Sequence, residues 1–145
     1  MTHHRDAHAA FIWPVRVYYE DTDAAGVVYY ANYLKFFERA RTEWLRALGF
    51  DQAELAQQQG IVFVVRAVST HYHSPAQLDD VLQVESVVTE LGRSRMVFTQ
   101  KIKRGHATLV SATVEVACVD SATFKPVAMP HAVREKMSAV LIKEE

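Results

Sequence analysis

At 145 residues the chain has the length of one domain, and 50% hydrophobic against 23% charged residues supply a core and a solvated surface together. A formal net charge of −1 excludes a strong overall field for nucleic acid or an anionic membrane, and no apolar run reaches the ~20 residues of a membrane-spanning helix. Cys118 is the single cysteine, so no disulfide closes within the chain; with an N-terminus, MTHHRDAHAA, that lacks a signal-peptide apolar stretch, the cytoplasm is the expected compartment.

Residues 1–10 read as a polar, disordered tail and residues 11–141 as one domain. Residues 11–19 predict a strand, with Trp13, Val15, Val17 and Tyr19 on one face at period two and Pro14 marking an edge or bulge. Glu20 to Gly26 is a polar turn in which Gly26 is free to take positive φ. A helix is expected from about Tyr30 to Leu48: Tyr33, Phe37, Ala40, Trp44 and Ala47 recur at three- and four-residue steps, with Tyr30, Leu34 and Leu48 beside them. Gly49 is placed to stop it. A short helix over Gln52 to Gln59 follows.

The period then changes. Ile61 to His73, Val81 to Glu90, Arg95 to Arg104 and Ala107 to Val119 predict four strands, with Leu91-Gly92-Arg93-Ser94 and Gly105-His106 at hairpin turns. In the last strand Val110, Ala112, Val114, Val116 and Cys118 share an apolar face. Pro130 to Leu141 predicts a terminal helix. One strand, one long helix and four strands imply an α+β domain, an antiparallel meander wrapped around a single helix, with sheet edges left open to association.

The chemistry concentrates in Glu20, Asp21 and Asp23, carboxylates in a turn before a helix N-terminus. Asp21 or Asp23 can simply cap the turn or the helix. Equally, one Asp can activate water or attack a carbonyl while the N–H groups near Tyr29 and Tyr30 polarise the carbonyl oxygen. That combination suits a thioester, which is already activated. Cys118 reads as a buried small hydrophobe, and no Gly-x-Ser-x-Gly elbow is present. His71 and His73 share a strand face without a third ligand nearby, so no metal site is expected. Glu38 and Arg41 are spaced to pair on the helix; the alternative role for Glu38, two turns from the helix start, is a carboxylate in the site. Arg93, Arg95, Lys101, Lys103 and Arg104 form a solvated basic face or a hold for coenzyme A phosphates.

Arg16-Val17, Thr22-Asp23, Gly26-Val27-Val28-Tyr29, Ala31 and Tyr33 together resemble the signature of the 4-hydroxybenzoyl-CoA thioesterase family of hotdog-fold proteins. Tyr18 to Asp23, Phe37-Glu38-Arg39-Ala40-Arg41-Thr42-Glu43, Phe98-Thr99-Gln100 and Lys125-Pro126 resemble its Tol-Pal-associated acyl-CoA thioesterase branch. The resemblance spans roughly residues 13 to 134. It implies a five-stranded antiparallel sheet around one long central helix, and a homodimer or homotetramer with the thioester site near the subunit interface. It makes Asp23 the catalytic carboxylate, as base or nucleophile, and the Tyr30 N–H the oxyanion donor. Gly26, Val27, Val28, Tyr29 and Tyr33 fall beside the substrate. Where this chain has Tyr30, many members of the branch carry His, so an imidazole role is lost and the backbone role is kept.

The expected function is hydrolysis of acyl-CoA to a free acid and coenzyme A, with no cofactor beyond the substrate's own coenzyme A and a place in lipid metabolism. Acyl carrier protein is an alternative partner. Two rival readings stand beside it: a non-catalytic acyl or acyl-carrier binding module at a Tol-Pal-type envelope assembly, and hydration of an enoyl thioester. The second wants an acid–base pair with His, which this turn lacks.

Overall fold

The structure, a computed structural model, describes residues 10–142. The tail read as disordered lies, apart from Ala10, outside the described residues.

Strand β1 (Phe11–Arg16) buries Val15 and partly buries Trp13, and Val17 just beyond it is fully buried. The expected face does not extend to Tyr19. The chain turns there into a single 3-10 turn, Tyr19–Asp21, and Tyr19 stands 81% exposed. Asp21 closes this turn, its carboxylate accepting the Tyr18 N–H at 2.8 Å.

Helix α1 (Asn32–Ala47) begins two residues after the predicted start, because Tyr30 and Ala31 form a tight turn ahead of it. Its buried stripe is Tyr33, Phe36, Phe37, Ala40, Trp44 and Leu45. The expected stripe thus gains Phe36 and Leu45 and loses Tyr30, Leu34 and Ala47, which face outward. Phe36 and Leu45 flank the central seam at helical spacing, so they widen the apolar face that packs into the core. Gly49, at φ +100°, ends the helix as expected.

The short helix α2 (Gln52–Glu54) is capped by Asp51, which accepts the Ala53 and Glu54 N–H groups at 2.8 and 3.2 Å. It continues as a π-helical turn over Leu55–Gln59. Four strands follow: β2 (Ile61–Tyr72), β3 (Val81–Leu91), β4 (Arg95–Arg104) and β5 (Ala107–Asp120). Helix α3 (His131–Ala139) buries Val133 and Met137.

All five strands form one antiparallel sheet in the order β1-β3-β4-β5-β2. The expected meander therefore covers only β3 to β5. Strand β2 does not pair with β3; it lies at the far edge beside β5, and residues 73–80 carry the chain across. That crossing segment is itself tied down, with Ala76 fully buried and Asp80 accepting the Arg104 guanidinium at 2.7 Å.

The core lies between α1 and the inner sheet face, where Phe36, Phe37, Leu82, Phe98 and Ile102 are almost completely buried. Two polar side chains, Ser86 and Gln100, are fully buried among them and stand directly opposite each other on β3 and β4. Gln100 donates to Ser86 Oγ at 2.9 Å and to the Phe37 carbonyl at 3.1 Å, and accepts from Arg41 Nη1 at 2.9 Å. This network satisfies every one of those buried groups and bolts the middle of α1 to the sheet.

Candidate active site

The signature segment folds back on itself. Thr22 bridges Val28 in antiparallel fashion, Asp23 N–H donates to the Val27 carbonyl at 2.9 Å, and Gly26 N–H donates to the Asp23 carbonyl at 3.0 Å. Gly26 holds φ +82° at the tip, a conformation glycine enters at no steric cost. Asp23 sits at this exposed tip, and its Oδ1 accepts the Ala25 N–H at 2.9 Å. The carboxylate therefore does cap its turn. Its other oxygen has no partner among the described residues.

The returning strand of this small hairpin is seated on the crossing segment. Val28 N–H donates to the Ala76 carbonyl at 2.8 Å, Val27 bridges Gln77, and the Tyr33 hydroxyl accepts the Ala76 N–H at 3.0 Å. Val28 and Tyr33 are buried, Val27 is half-buried, and Tyr29 and Tyr30 are exposed. Burial raises the Tyr33 phenol above its ordinary range, so it stays a neutral hydroxyl.

The two candidate oxyanion donors separate. Tyr29 N–H is committed to the Asp21 carbonyl at 3.0 Å, an oxygen that also accepts the Asn32 carboxamide at 2.9 Å. Asn32 and Tyr33 N–H close tight turns onto the Tyr29 and Tyr30 carbonyls, at 2.8 and 3.3 Å. Tyr30 N–H is left with no acceptor among the described residues, just ahead of a helix whose dipole favours negative charge there. A cleft of about 240 Å³ opens beside it, lined by Val28, Tyr30, Tyr33, Tyr72, His73 and Pro75, among others. The Tyr33 and Tyr72 rings meet at 5.7 Å and those of Tyr30 and Tyr72 at 6.2 Å.

Other candidates resolve differently. Cys118 is fully buried, and burial pushes its thiol up to about 11, so it is a packing residue. His73 lies just past the end of β2, within 3.2 Å of Ser111 Oγ, and no group of three metal-ligating side chains gathers among the described residues. Glu38 and Arg41 do not form the expected pair: Arg41 turns inward to Gln100. Three of the five basic residues are taken by acids, Arg95 by Glu90 and Glu115, Lys103 by Glu85 and Arg104 by Asp80, which leaves Arg93 and Lys101 of that set.

Asn32, Tyr72 and Ala76 were not among the expected site residues. Asn32 had a local signal, a capping-type side chain at the helix start. Tyr72 and Ala76 had none, because they reach the site only through the crossing of β2 to the far edge.

A family model described as the thioesterase-like superfamily matches residues 17–137, a span holding the hairpin, the cleft and the sheet. The chain belongs to that superfamily. Within it, the chain is 52% identical over 124 residues to the acyl-CoA thioesterase YbgC of Haemophilus influenzae, covering 86% of this chain and 91% of that protein. It is 48% identical over 124 residues to the acyl-CoA thioester hydrolase YbgC of Escherichia coli O6:H1, covering 85% and 92%. Among solved structures, a probable thioesterase from Bartonella henselae superposes with a TM-score of 0.80 at 40% identity, covering 83% of this chain and 99% of that one. That superposition, over 83% of this chain, shows the same overall fold in both proteins. No helix of the described residues is long and apolar enough to cross a membrane.

Proposed function

We propose that the protein hydrolyses acyl-CoA thioesters, with Asp23 as the catalytic carboxylate and the Tyr30 N–H as the oxyanion donor. The observation that carries this reading is the uncommitted Tyr30 N–H at the head of α1, opening on an apolar cleft in a chain whose curated relatives bear acyl-CoA thioesterase names. A thioester oxygen placed on that N–H develops negative charge as its carbonyl is attacked, and a preorganised donor of this kind contributes roughly 10²–10³ in rate.

Asp23 has two routes. As a base it takes a proton from water as the water oxygen bonds to the acyl carbon; collapse of the tetrahedral adduct then breaks the C–S bond. As a nucleophile its oxygen bonds to the acyl carbon and expels the thiolate, and water then hydrolyses the mixed anhydride. Either route yields a free acid and coenzyme A, and the coenzyme is part of the substrate. Val28, Tyr33 and Tyr72 wall the acyl group near its carbonyl, while Gly26, Val27 and Tyr29 set the hairpin that presents Asp23. The site is completed in a homo-oligomer.

Replacing Asp23 by Asn keeps the size and the turn-capping oxygen but removes the base. Thiol release from acyl-CoA is expected to fall by roughly 10²-fold or more, with an unchanged melting temperature. Near-full activity in Asp23→Asn would assign the chemistry elsewhere.

A further inference from the structure

Residues 73–80, which carry the chain from β2 across to β3, end in a turn from Gln77 to Asp80. Asp80 closes this turn twice: its N–H donates to the Gln77 carbonyl at 3.1 Å, and its Oδ2 accepts the Gln77 N–H at 2.9 Å. Inside the turn Asp79 holds φ +70°, a left-handed conformation that costs an L-residue free energy. Such a turn keeps its shape only while its closing contacts hold. The same Asp80 oxygen accepts Arg104 Nη1 at 2.7 Å, from the end of β4. Burial opposes the charge on Asp80, but the Gln77 N–H and the Arg104 guanidinium outweigh it and hold the carboxyl below its usual range.

Both halves of the candidate site are seated on this segment. On the hairpin side, Gln77 bridges Val27 and the Ala76 carbonyl accepts the Val28 N–H at 2.8 Å, while the Val27 carbonyl accepts the Asp23 N–H at 2.9 Å. On the helix side, the Ala76 N–H donates at 3.0 Å to the hydroxyl of Tyr33, in the first turn of α1. Through its N–H and its carbonyl, the fully buried Ala76 thus holds the hairpin that carries Asp23 against the head of the helix that carries the Tyr30 N–H.

We infer that Asp80, locked by Arg104, is a positioning residue that sets where the Asp23 carboxylate stands relative to the Tyr30 N–H, which rests on the reading of Asp23 as the catalytic carboxylate. The path from the lock to that carboxylate is bonded at every step: Arg104 to Asp80, Asp80 to Gln77, Gln77 to Val27, Val27 to Asp23. Asp80 itself does not line the cleft. Without its carboxylate the Gln77 N–H loses its acceptor, the left-handed turn relaxes, and the bridge to Val27 loses its register. A reacting group displaced by about 1 Å forfeits up to ~10²-fold in rate, so the loss falls on kcat more than on KM.

The test is steady-state kcat and KM on the best-used member of a panel of acyl-CoAs, each protein kept well below its Tm. The proteins are wild type, Arg104→Met, Asp80→Ala, Asp23→Asn and the double variant of Asp23→Asn with Asp80→Ala. Asp80→Ala is expected to lower kcat about tenfold and Arg104→Met about threefold, with KM moved less than about twofold. In the Asp23→Asn background Asp80→Ala should cost nothing further, because the group it positions is already gone. A turn that serves stability alone lowers Tm and leaves kcat per folded molecule at the wild-type value, or lowers turnover by the same factor with and without Asp23; either result overturns the inference. Should Asp80→Ala not fold, Arg104→Met decides, since it changes a side chain that is 41% exposed and leaves the Asp80–Gln77 bond in place: an unchanged kcat there overturns the inference. Near-full turnover in Asp23→Asn would remove the Asp23 reading and the inference with it. Loss in Asp23→Asn with full kcat in Asp80→Ala and Arg104→Met would overturn the inference alone.

Discussion

Gly26 is the residue on which the geometry of the hairpin tip turns. A Cβ built there meets nothing within 4 Å, so substitution is not opposed by crowding; the cost is the backbone at φ +82° alone. For an L-residue in that region the penalty is about 1–2 kcal/mol. Gly26→Ala is therefore expected to lower the Tm by roughly 3–8 °C, and Gly26→Asn by less than half as much, because Asn enters the left-handed region more readily. Thermal unfolding of the two variants side by side checks this, and an unchanged Tm in Gly26→Ala would mean that the turn relaxes into another form. The need for glycine at this point was legible in the sequence, as was the position of Asp23. The separation of Tyr29 from Tyr30 was not. It depends on which carbonyl faces each N–H, and the Asp21 carbonyl reaches Tyr29 only through the register of the folded hairpin.

Among the elements, β4 shows both what local sequence reveals and where it stops. Met96, Phe98, Gln100 and Ile102 form an inward row at period two, and all four are buried. A glutamine in such a row requires a polar partner inside the core. Those partners come from β3 and α1, far away in the chain, and no local pattern names them. The limits of β2 to β5 were legible within a residue or so because turn residues and period changes are local, whereas β1 ends three residues short of its expected limit, where the chain turns at Tyr19. The path of β2 was not, because pairing with β5 rather than β3 is decided by how the whole sheet closes over α1. Replacing Gln100 by Leu leaves Ser86, the Phe37 carbonyl and the Arg41 guanidinium without their partner inside the core. The expected loss is about 3 kcal/mol, seen as a lower denaturation midpoint with an unchanged slope. A loss below about 0.5 kcal/mol would show that the network is dispensable, as surface substitutions are.

On the scale of the whole molecule, the two open sheet edges are not alike. β1 is six residues long and carries Pro14, which has no N–H to offer a further strand. β2 is twelve residues long, and beyond its pairing with β5 its other edge is open; Val65, Val68 and Tyr72 along it are 43–48% exposed. Charged side chains, proline and short length are the usual protections of an edge, and β2 has only Arg66 and one bulge near Val65. A second copy of the chain is the expected occupant of this edge, because antiparallel pairing of β2 with itself is self-complementary about a two-fold axis. Such a pairing would take the exposed apolar side chains of Val65 and Val68 towards the interface. Light scattering at micromolar concentration is therefore expected to give an even multiple of 16.4 kDa. Amide exchange along β2 should then be as slow as along the interior strand β4, whereas an edge strand exposed to water exchanges faster on its unpaired side. A particle of 16.4 kDa with fast exchange on β2 would show that the edge stays open.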